Sequence, residues 1–355
     1  MINLGFNEYY IREAAVYEGF ILGRVISQSK ELYKVATGNV EVTAEIAGKL
    51  RFDAGTASDL PAVGDFVMLD RESNDIGNAI IHHILTRKSI FARKAAGKAR
   101  NVQVIAANID TVFICTALNS DYNLRRLERY LSIAWASGAL PVVVLTKADL
   151  CNDIEVRLTE VGGVAAGADV LVTTSITEDG YHSIKKYITS GKTVAFIGSS
   201  GVGKSTLINR LLGEEVIETR EIRKDGKGRH TTARRDLIVI PSGGAVIDTP
   251  GMREMGIESA DLARTFADID QLAGSCKFGD CSHTGEPHCA VRKAIADGLI
   301  TEKRLESYLK LKKEARYDGL NAKQIEKEKI TEMFSGVGGM KNARNIIKNK
   351  NKQPR

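Results

Sequence analysis

Thr193-Val-Ala-Phe-Ile-Gly-Ser-Ser-Gly-Val-Gly-Lys-Ser-Thr-Leu-Ile-Asn-Arg-Leu-Leu212 reads as a short buried strand, a glycine loop and the opening of a helix. Within it, Gly198 to Ser205 fits G-x-x-x-x-G-K-[ST] in the strand–loop–helix context that the pattern requires. The glycines let the backbone N–H groups of Ser199, Ser200, Gly201, Val202 and Gly203 turn inward around phosphates, and the helix start adds its positive dipole end. Lys204 is placed to reach the β and γ oxygens and Ser205 to ligate Mg²⁺, with Thr206 beside it in the first turn. A glycine-rich turn with a chance lysine would lack the flanking strand and helix.

A phosphate loop says nucleotide without saying which one. Pro141-Val-Val-Val-Leu-Thr-Lys-Ala-Asp-Leu150 is an apolar strand that ends in Thr146-Lys147-Ala148-Asp149. The Asp149 carboxylate can accept both the N1–H and the exocyclic amine of guanine, a donor pair that adenine does not offer. Lys147 is expected to lie along the base with its aliphatic stem. Thr146 stands where the usual pattern has Asn, so the tether between base loop and phosphate loop is expected to be weaker. The base-reading element here precedes the phosphate loop, the reverse of an ordinary GTPase. That order indicates a circularly permuted domain with segments added at both of its new ends.

Two further elements follow the phosphate loop. Ala245-Val-Ile-Asp248-Thr-Pro-Gly251 is a strand with D-x-x-G, in which Asp248 would hold Mg²⁺ and the Gly251 N–H would sense the γ-phosphate. Lys224-Asp-Gly-Lys-Gly-Arg-His-Thr-Thr-Ala233 is a cationic glycine-rich loop in which Thr231 or Thr232 closes over Mg²⁺. Met252 occupies the position where many GTPases carry the glutamine that orients the attacking water, and a thioether cannot do that. His230, in the first-switch loop, is the nearest replacement, since an imidazole can position or deprotonate a water.

Cys276-Lys-Phe-Gly-Asp-Cys281-Ser-His283-Thr-Gly-Glu-Pro-His-Cys289 gives C-x4-C-x-H-x5-C, three thiolates and one imidazole. Such a set completes a zinc tetrahedron with no open position and reads as structural. His288 competes with His283 as the fourth ligand. The other two of the five cysteines, Cys115 and Cys151, sit in or beside apolar strand-like segments and read as core thiols. An odd cysteine would be left over from any full disulfide pairing.

The order Lys-x-Asp, phosphate loop, Gly-Arg-His-Thr-Thr, Asp-x-Pro-Gly and C-x4-C-x-H-x5-C resembles the bacterial RsgA (YjeQ) family of circularly permuted GTPases. The likeness runs from about residue 15 to about 320 and includes Pro61-Ala-Val-Gly-Asp65, Ala107-Asn-Ile-Asp110 and Arg126-Leu-Glu-Arg-Tyr130. It implies a multidomain α/β protein: an N-terminal OB-fold β-barrel, a circularly permuted P-loop GTPase domain and a C-terminal zinc-binding helical domain. It further implies a factor in late maturation of the small (30S) ribosomal subunit that binds that particle and its 16S rRNA. Hydrolysis of GTP to GDP is then stimulated by the particle. Met252 matches the family's hydrophobic replacement of the glutamine. Thr174-Ser175 stands where the resemblance leads one to expect a Ser-Ala base-contact loop.

The remaining sequence agrees with that outline. Residues 17 to 85 alternate apolar and polar, as in Val40-Glu-Val-Thr-Ala-Glu-Ile46, and read as short strands of a small barrel. The alternation alone leaves OB-like and SH3-like barrels open. The domains are expected at 1–90 (RNA-binding barrel), 91–262 (GTPase), 263–335 (zinc-binding) and 336–355 (a basic, disordered tail). The net charge is +6, and the stretch Lys341 to Arg355 alone contains six Lys or Arg and no acid. A second cationic block, Arg87 to Arg100, carries six more, and the two acid-free blocks point to RNA phosphates. Leu305, Tyr308 and Leu309 share one face of a helix expected over 301–313. With no stretch of eighteen apolar residues and no cationic signal start, the chain is expected to be cytoplasmic, without membrane contact and monomeric.

Overall fold

The protein is described here by a computed structural model covering residues 2–29, 31–38, 40–94, 102–174, 176–177, 180–214, 235–248, 261–317, 320, 322–335 and 342. After helix α1 (Glu8–Ala14), capped by the Asn7 side chain, come β1 (Ile21–Ser29), β2 (Leu32–Ala36) and β3 (Glu41–Ile46). Helix α2 (Gly48–Asp53), β4 (Phe66–Leu69) and β5 (Ala79–Ile84) complete the first unit. The pairings run β1–β2–β3–β5–β4 and return from β4 to β1, with only β3–β5 parallel. This closed ring is OB-like, which settles the choice that the alternation left open. Alternate residues Val25, Tyr33, Val35, Val42, Ala44, Val67, Leu69 and Ile81 fill it.

The ribbon of β6 (Ile90–Lys94) and β7 (Val102–Ala107) leads into the second unit. There follow β8 (Thr111–Ala117), α3 (Leu124–Ser137), β9 (Leu140–Thr146), α4 (Ile154–Gly162), β10 (Asp169–Val172) and α5 (His182–Lys185). The phosphate-loop strand is β11 (Thr193–Ile197), followed by α6 (Lys204–Leu212), β12 (Arg235–Val239) and β13 (Ala245–Asp248). In space the order is β10-β9-β8-β11-β13-β12, parallel except for β12. The central strand β11 therefore has earlier strands on one side and later strands on the other, as permutation requires. Both faces are covered, which is why these strands read as unbroken apolar runs. Ile114, Leu131, Val143 and Val161 pack on one face and Phe113, Cys115, Val144 and Leu207 on the other. Cys115 is thus a core thiol, pushed up to about 12 by burial.

The barrel and the core sheet are continuous, because β1 also pairs with the edge strand β12, Ser27 opposite Asp236. A second junction is buried. The Arg24 guanidinium, inside the barrel wall, donates to the carbonyls of Leu4 (2.6 Å), Gly64 (3.2 Å) and Asn108 (3.3 Å) and lies over the Phe66 ring. Asn108, at φ 57°, accepts from the Tyr10 hydroxyl and the Lys88 N–H and donates to the Gly64 carbonyl. Gly64 is required there, since a Cβ would sit 2.1 Å from the Ala107 carbonyl oxygen. Two cations of the block read as RNA-directed are consumed in this region. Arg87 forms a double ion pair with buried Asp65 and also donates to the carbonyls of Ser58 and Leu60, while Lys88 sits over the Tyr9 and Tyr10 rings.

The C-terminal unit consists of α7 (Leu262–Thr265), α8 (Ala267–Ala273), α9 (Ala290–Ala296), α10 (Glu302–Arg316) and α11 (Ala322–Ser335). Leu305, Tyr308 and Leu311 of α10 pack against Phe266, Ile269 and Val291, with Leu309 at the margin. Arg304 docks this unit on α3: it donates to buried Glu128 at 2.9 Å, to both Asp268 oxygens and to the Thr265 carbonyl.

Replacing Arg24 with alanine removes its bonds to the Leu4 and Asn108 carbonyls at the barrel–core junction, while the Gly64 carbonyl keeps the Asn108 amide as donor. The expected loss is about 3 kcal/mol, read as a lowered urea midpoint.

Candidate nucleotide site and metal centre

Strand β11 ends at Ile197, and the chain turns through Gly198 (φ 145°), Gly201 (φ 74°) and Gly203 (φ 98°) before α6 starts at Lys204. A Cβ on Gly198 would lie 2.4 Å from the Cys115 carbonyl oxygen, so the loop can rest on the end of β8 only with glycine there. The Lys204 ammonium donates to the carbonyls of Gly198 (2.8 Å) and Ser199 (2.6 Å), which places it over the loop whose amides open α6. The loop thus gathers backbone donors, a helix N-terminus and a lysine around one concavity, the arrangement that binds phosphates.

The base-reading segment comes from the next strand but one. β8 lies between β9 and β11, so the C-terminal ends of all three face the same edge of the sheet. Thr146, at the end of β9, donates from its hydroxyl to the Val202 carbonyl at 2.6 Å, in a buried contact. A tether is therefore present with threonine at this position: the shorter side chain makes a direct bond to the phosphate loop. Lys147 takes a left-handed conformation (φ 56°), which carries the chain round so that Ala148 N–H donates to the Thr173 carbonyl. Asp149 then meets the loop after β10, where its carboxylate accepts from the Thr174 hydroxyl at 2.6 Å. That bond leaves the other carboxylate oxygen with its acceptor capacity for a base edge.

Not every expected residue can be placed. Ser175, the first-switch residues His230, Thr231 and Thr232, and the second-switch Gly251 with Met252 lie outside the described residues. So do the cations at 95–100 and the basic tail from 343 onward. Asp248 ends β13, one register step beyond Ile247, which pairs with Ala195 of the phosphate-loop strand. Its backbone position beside β11 is that of a residue at the phosphate end of the site.

Two residues that sequence reading did not single out for the site stand at its rear. Asp121, after β8, accepts from the Ser199 hydroxyl (2.5 Å) and from Arg126 (2.8 Å), which also donates to Ser199 (2.8 Å). A single sequence carries no signal for this set, because its members come from separate segments.

The cysteine motif forms a real cluster. The ligand atoms of Cys276, Cys281, His283 and Cys289 all lie within 4.8 Å of one another. Cys276 Sγ is 3.7 Å from His283 Nδ1 and 3.9 Å from Cys289 Sγ, and His283 Nδ1 is 3.4 Å from Cys289 Sγ. Edges of that length enclose a tetrahedral ion with metal–sulfur bonds of about 2.3 Å and a metal–nitrogen bond of about 2.0 Å. His283 rather than His288 joins the cluster, although both take a left-handed backbone (φ 60° in each). Burial opposes the charge on Cys276, but N–H groups of Val291 and Ala290 at the start of α9 outweigh it and hold the thiol below its usual range. Glu286 braces the turn by accepting from the hydroxyl and N–H of Ser282 and the N–H groups of Thr284 and Gly285. Hydrogen bonds from Ser282 first, then from backbone N–H groups, hold its carboxyl well below the usual carboxylate range. The cluster can hold a metal ion.

Comparison with known proteins follows from this geometry. A family model described as RsgA GTPase matches residues 84–258. The small ribosomal subunit biogenesis GTPase RsgA 2 of Lactiplantibacillus plantarum is 52% identical over 324 residues, 91% of this chain and 91% of that protein. The chain belongs to the RsgA GTPase family. An RsgA of Methanosarcina acetivorans is 42% identical over 341 residues, 94% of this chain and 91% of that protein. Two solved structures share the fold. YjeQ from Thermotoga maritima has a TM-score of 0.61 at 26% identity, covering 83% of this chain and 98% of its own. YloQ, a circularly permuted GTPase, has a TM-score of 0.58 at 25% identity, covering 84% and 96%. A second family model, described as ABC transporter, matches residues 181–352. That stretch contains the phosphate loop, a pattern common to many nucleotide-binding proteins. Among the described residues no helix is long and apolar enough to cross a membrane. The RsgA assignment accounts for the motifs on both sides of that loop.

Two outcomes are expected. Thr146→Val removes the buried bond to Val202 and weakens guanine nucleotide binding about tenfold, measured by titration with a fluorescent GDP analogue. Elemental analysis of the purified protein gives one metal equivalent per chain, lost in Cys276→Ser. Chelation opens residues 261–317 to protease.

Proposed function

We propose that this RsgA-family protein is a GTPase of small ribosomal subunit biogenesis that hydrolyses GTP to GDP and phosphate on the immature particle. The observation that carries this reading is the meeting of a base-reading loop and a phosphate loop in permuted order, joined by the Thr146–Val202 hydrogen bond. Relatives 52% and 42% identical over more than nine-tenths of the chain carry the name of that process.

In this reading Asp149 accepts the two guanine donors, held in line by Thr174, and Lys147 covers the base; Ser175 completes the base loop. Residues Gly198 to Thr206 wrap the phosphates. Ser205 and Asp248, with Thr231 or Thr232, would hold Mg²⁺, which when bound neutralises charge shared by the β- and γ-phosphates. The Gly251 N–H meets the γ-phosphate. His230 takes over the positioning of water that Met252 cannot perform. Cys276, Cys281, His283 and Cys289 hold zinc as a structural ion, since three thiolates with one imidazole in a closed tetrahedron suit a borderline-soft ion without redox chemistry.

The particle, with its 16S rRNA, is the partner, and the chain acts as a cytoplasmic monomer. The domains divide at 1–90, 91–262, 263–335 and 336–355, with the barrel and the basic tail as RNA contacts. Arg87 is excluded from those contacts because the fold engages it in the ion pair with Asp65.

The test is steady-state GTP hydrolysis by the protein alone, with isolated small subunits and with isolated large subunits. Strong stimulation by small subunits only is expected. Equal, weak turnover in all three would instead favour an RNA-binding module whose hydrolysis is incidental. Asp149→Asn should move preference from guanine to xanthine nucleotides by about 10²-fold or more in competition binding. Unchanged guanine selectivity would remove the base assignment.

A further inference from the structure

We infer that Asp121 and Arg126 are positioning residues for the nucleotide site, acting as a clamp on Ser199 that supports the phosphate-binding lysine, Lys204. This rests on the guanine-nucleotide reading above and adds to it a set of residues from outside the nucleotide motifs.

The geometry is specific. Ser199 is the second residue of the phosphate loop, and its hydroxyl is used twice: it donates to Asp121 Oδ2 at 2.5 Å and accepts from Arg126 Nη1 at 2.8 Å. The same Arg126 nitrogen lies 2.8 Å from both Asp121 oxygens, so the three side chains close on one another. A serine hydroxyl engaged as donor and acceptor at once is held in one rotamer, which ties this residue of the loop to the clamp. The Ser199 carbonyl is one of the two that take the Lys204 ammonium, at 2.6 Å. On its other side the loop rests on β8 through Gly198. Ser199 is thus held from behind while its carbonyl holds the phosphate-binding lysine in front.

The clamp's carboxylate is held in its charged form. Burial alone would favour a neutral Asp121. Hydrogen bonds from Arg126 and Ser199, followed by the charges of Arg126 and Lys147, outweigh it and hold the carboxyl below the usual range. Asp121 follows the C-terminal end of β8, the edge of the sheet at which the phosphate loop also begins.

This role is distinct from a structural one. Asp121 and Arg126 are each more than a third exposed, and an exposed ion pair contributes little to folding. Removing the clamp should leave the fold intact and cost nucleotide affinity, because the loop and Lys204 would have to be ordered at the moment of binding.

The experiment measures equilibrium binding of GDP and GTP, and kcat and KM for GTP, in the full-length protein and in Asp121→Asn, Ser199→Ala, Ser199→Thr, Arg126→Met and Asp121→Asn/Ser199→Ala. The first two and Arg126→Met should each weaken binding of both nucleotides about tenfold and raise KM, with kcat within about twofold and the melting temperature unchanged. Ser199→Thr, which keeps the hydroxyl, should restore affinity. The double variant should be no weaker than the worse single one, since all act on one clamp. Guanine-over-xanthine preference should stay, because Asp149 is untouched. Wild-type affinity in Asp121→Asn and Ser199→Ala would overturn the clamp while leaving the guanine site standing, as would additive losses or no rescue by threonine. If Asp121→Asn does not fold, Ser199→Ala and Arg126→Met decide alone. Absence of guanine nucleotide binding by the unaltered protein would overturn both the guanine site and the clamp.

Discussion

The hydrogen bonds of buried Arg24 and Asn108 fix the point at which the chain enters the middle of its own core sheet. Permutation makes that point critical. Strand β8 is the first strand of the core in sequence, yet it lies between β9 and β11 in space, so whatever precedes it must be anchored at the sheet's end. Arg24 and Asn108 do this by bonding the N-terminal segment, the barrel turn at Gly64 and each other. Two residues later Asp110 continues the anchorage by accepting from the Thr193 N–H and from Lys192, at the start of the phosphate-loop strand. Barrel position and phosphate-loop strand are thereby set by one short segment. The barrel also pairs β1 with β12 and so covers an edge that would otherwise offer unpaired N–H and C=O groups.

At the other end of the core, α3 connects what permutation separates. Its first turn carries Arg126, bonded to the phosphate loop. Two residues on, buried Glu128 accepts from Arg125 and Arg304, and Ser132 meets Thr265 across the interface with α7. Arg264 lies over the Trp135 ring, and Arg129 pairs with Glu314 of α10. A fully buried carboxylate between two guanidinium groups is costly to form and costly to break, so it favours one docking geometry over others more than it adds stability. The metal-binding unit is thus held against the helix whose other end grips the nucleotide loop.

The elements legible in the sequence were those whose chemistry fixes spacing along the chain. The phosphate loop, the Lys-x-Asp after β9 and the Cys3His cluster each have the form of a site for one small object, so their residues sit close together in sequence. What sequence left open or misjudged depends on partners brought together by folding. Arg87 looked like a free cation because its partner Asp65 lies twenty-two residues earlier, across the barrel wall. The choice between His283 and His288 depends on which imidazole folding carries to the three sulfurs, which one-dimensional spacing does not contain. Ring closure of the barrel required the β1–β4 pairing, a contact between strands that alternation alone cannot assign.

The two departures from the usual guanine-site pattern share a physical resolution. Thr146 replaces an amide side chain, and Thr174 stands where serine is expected; both are β-branched and both carry a hydroxyl. β-Branching restricts χ1, so the hydroxyl direction is largely decided by the backbone and not by a flexible side chain. At the end of β9 that direction meets the Val202 carbonyl, and after β10 it meets the Asp149 carboxylate. A longer amide could span the same gap, but it would hold more rotamer freedom to lose on ordering. Here β9 approaches the loop closely enough for the short threonine side chain to suffice, because β8 pairs with β9 from Thr111 to Ala117 and with β11 from Thr111 to Ile114. The tolerance for threonine at both positions is therefore a property of the sheet, whose central strand sets how far apart the base loop and the phosphate loop stand.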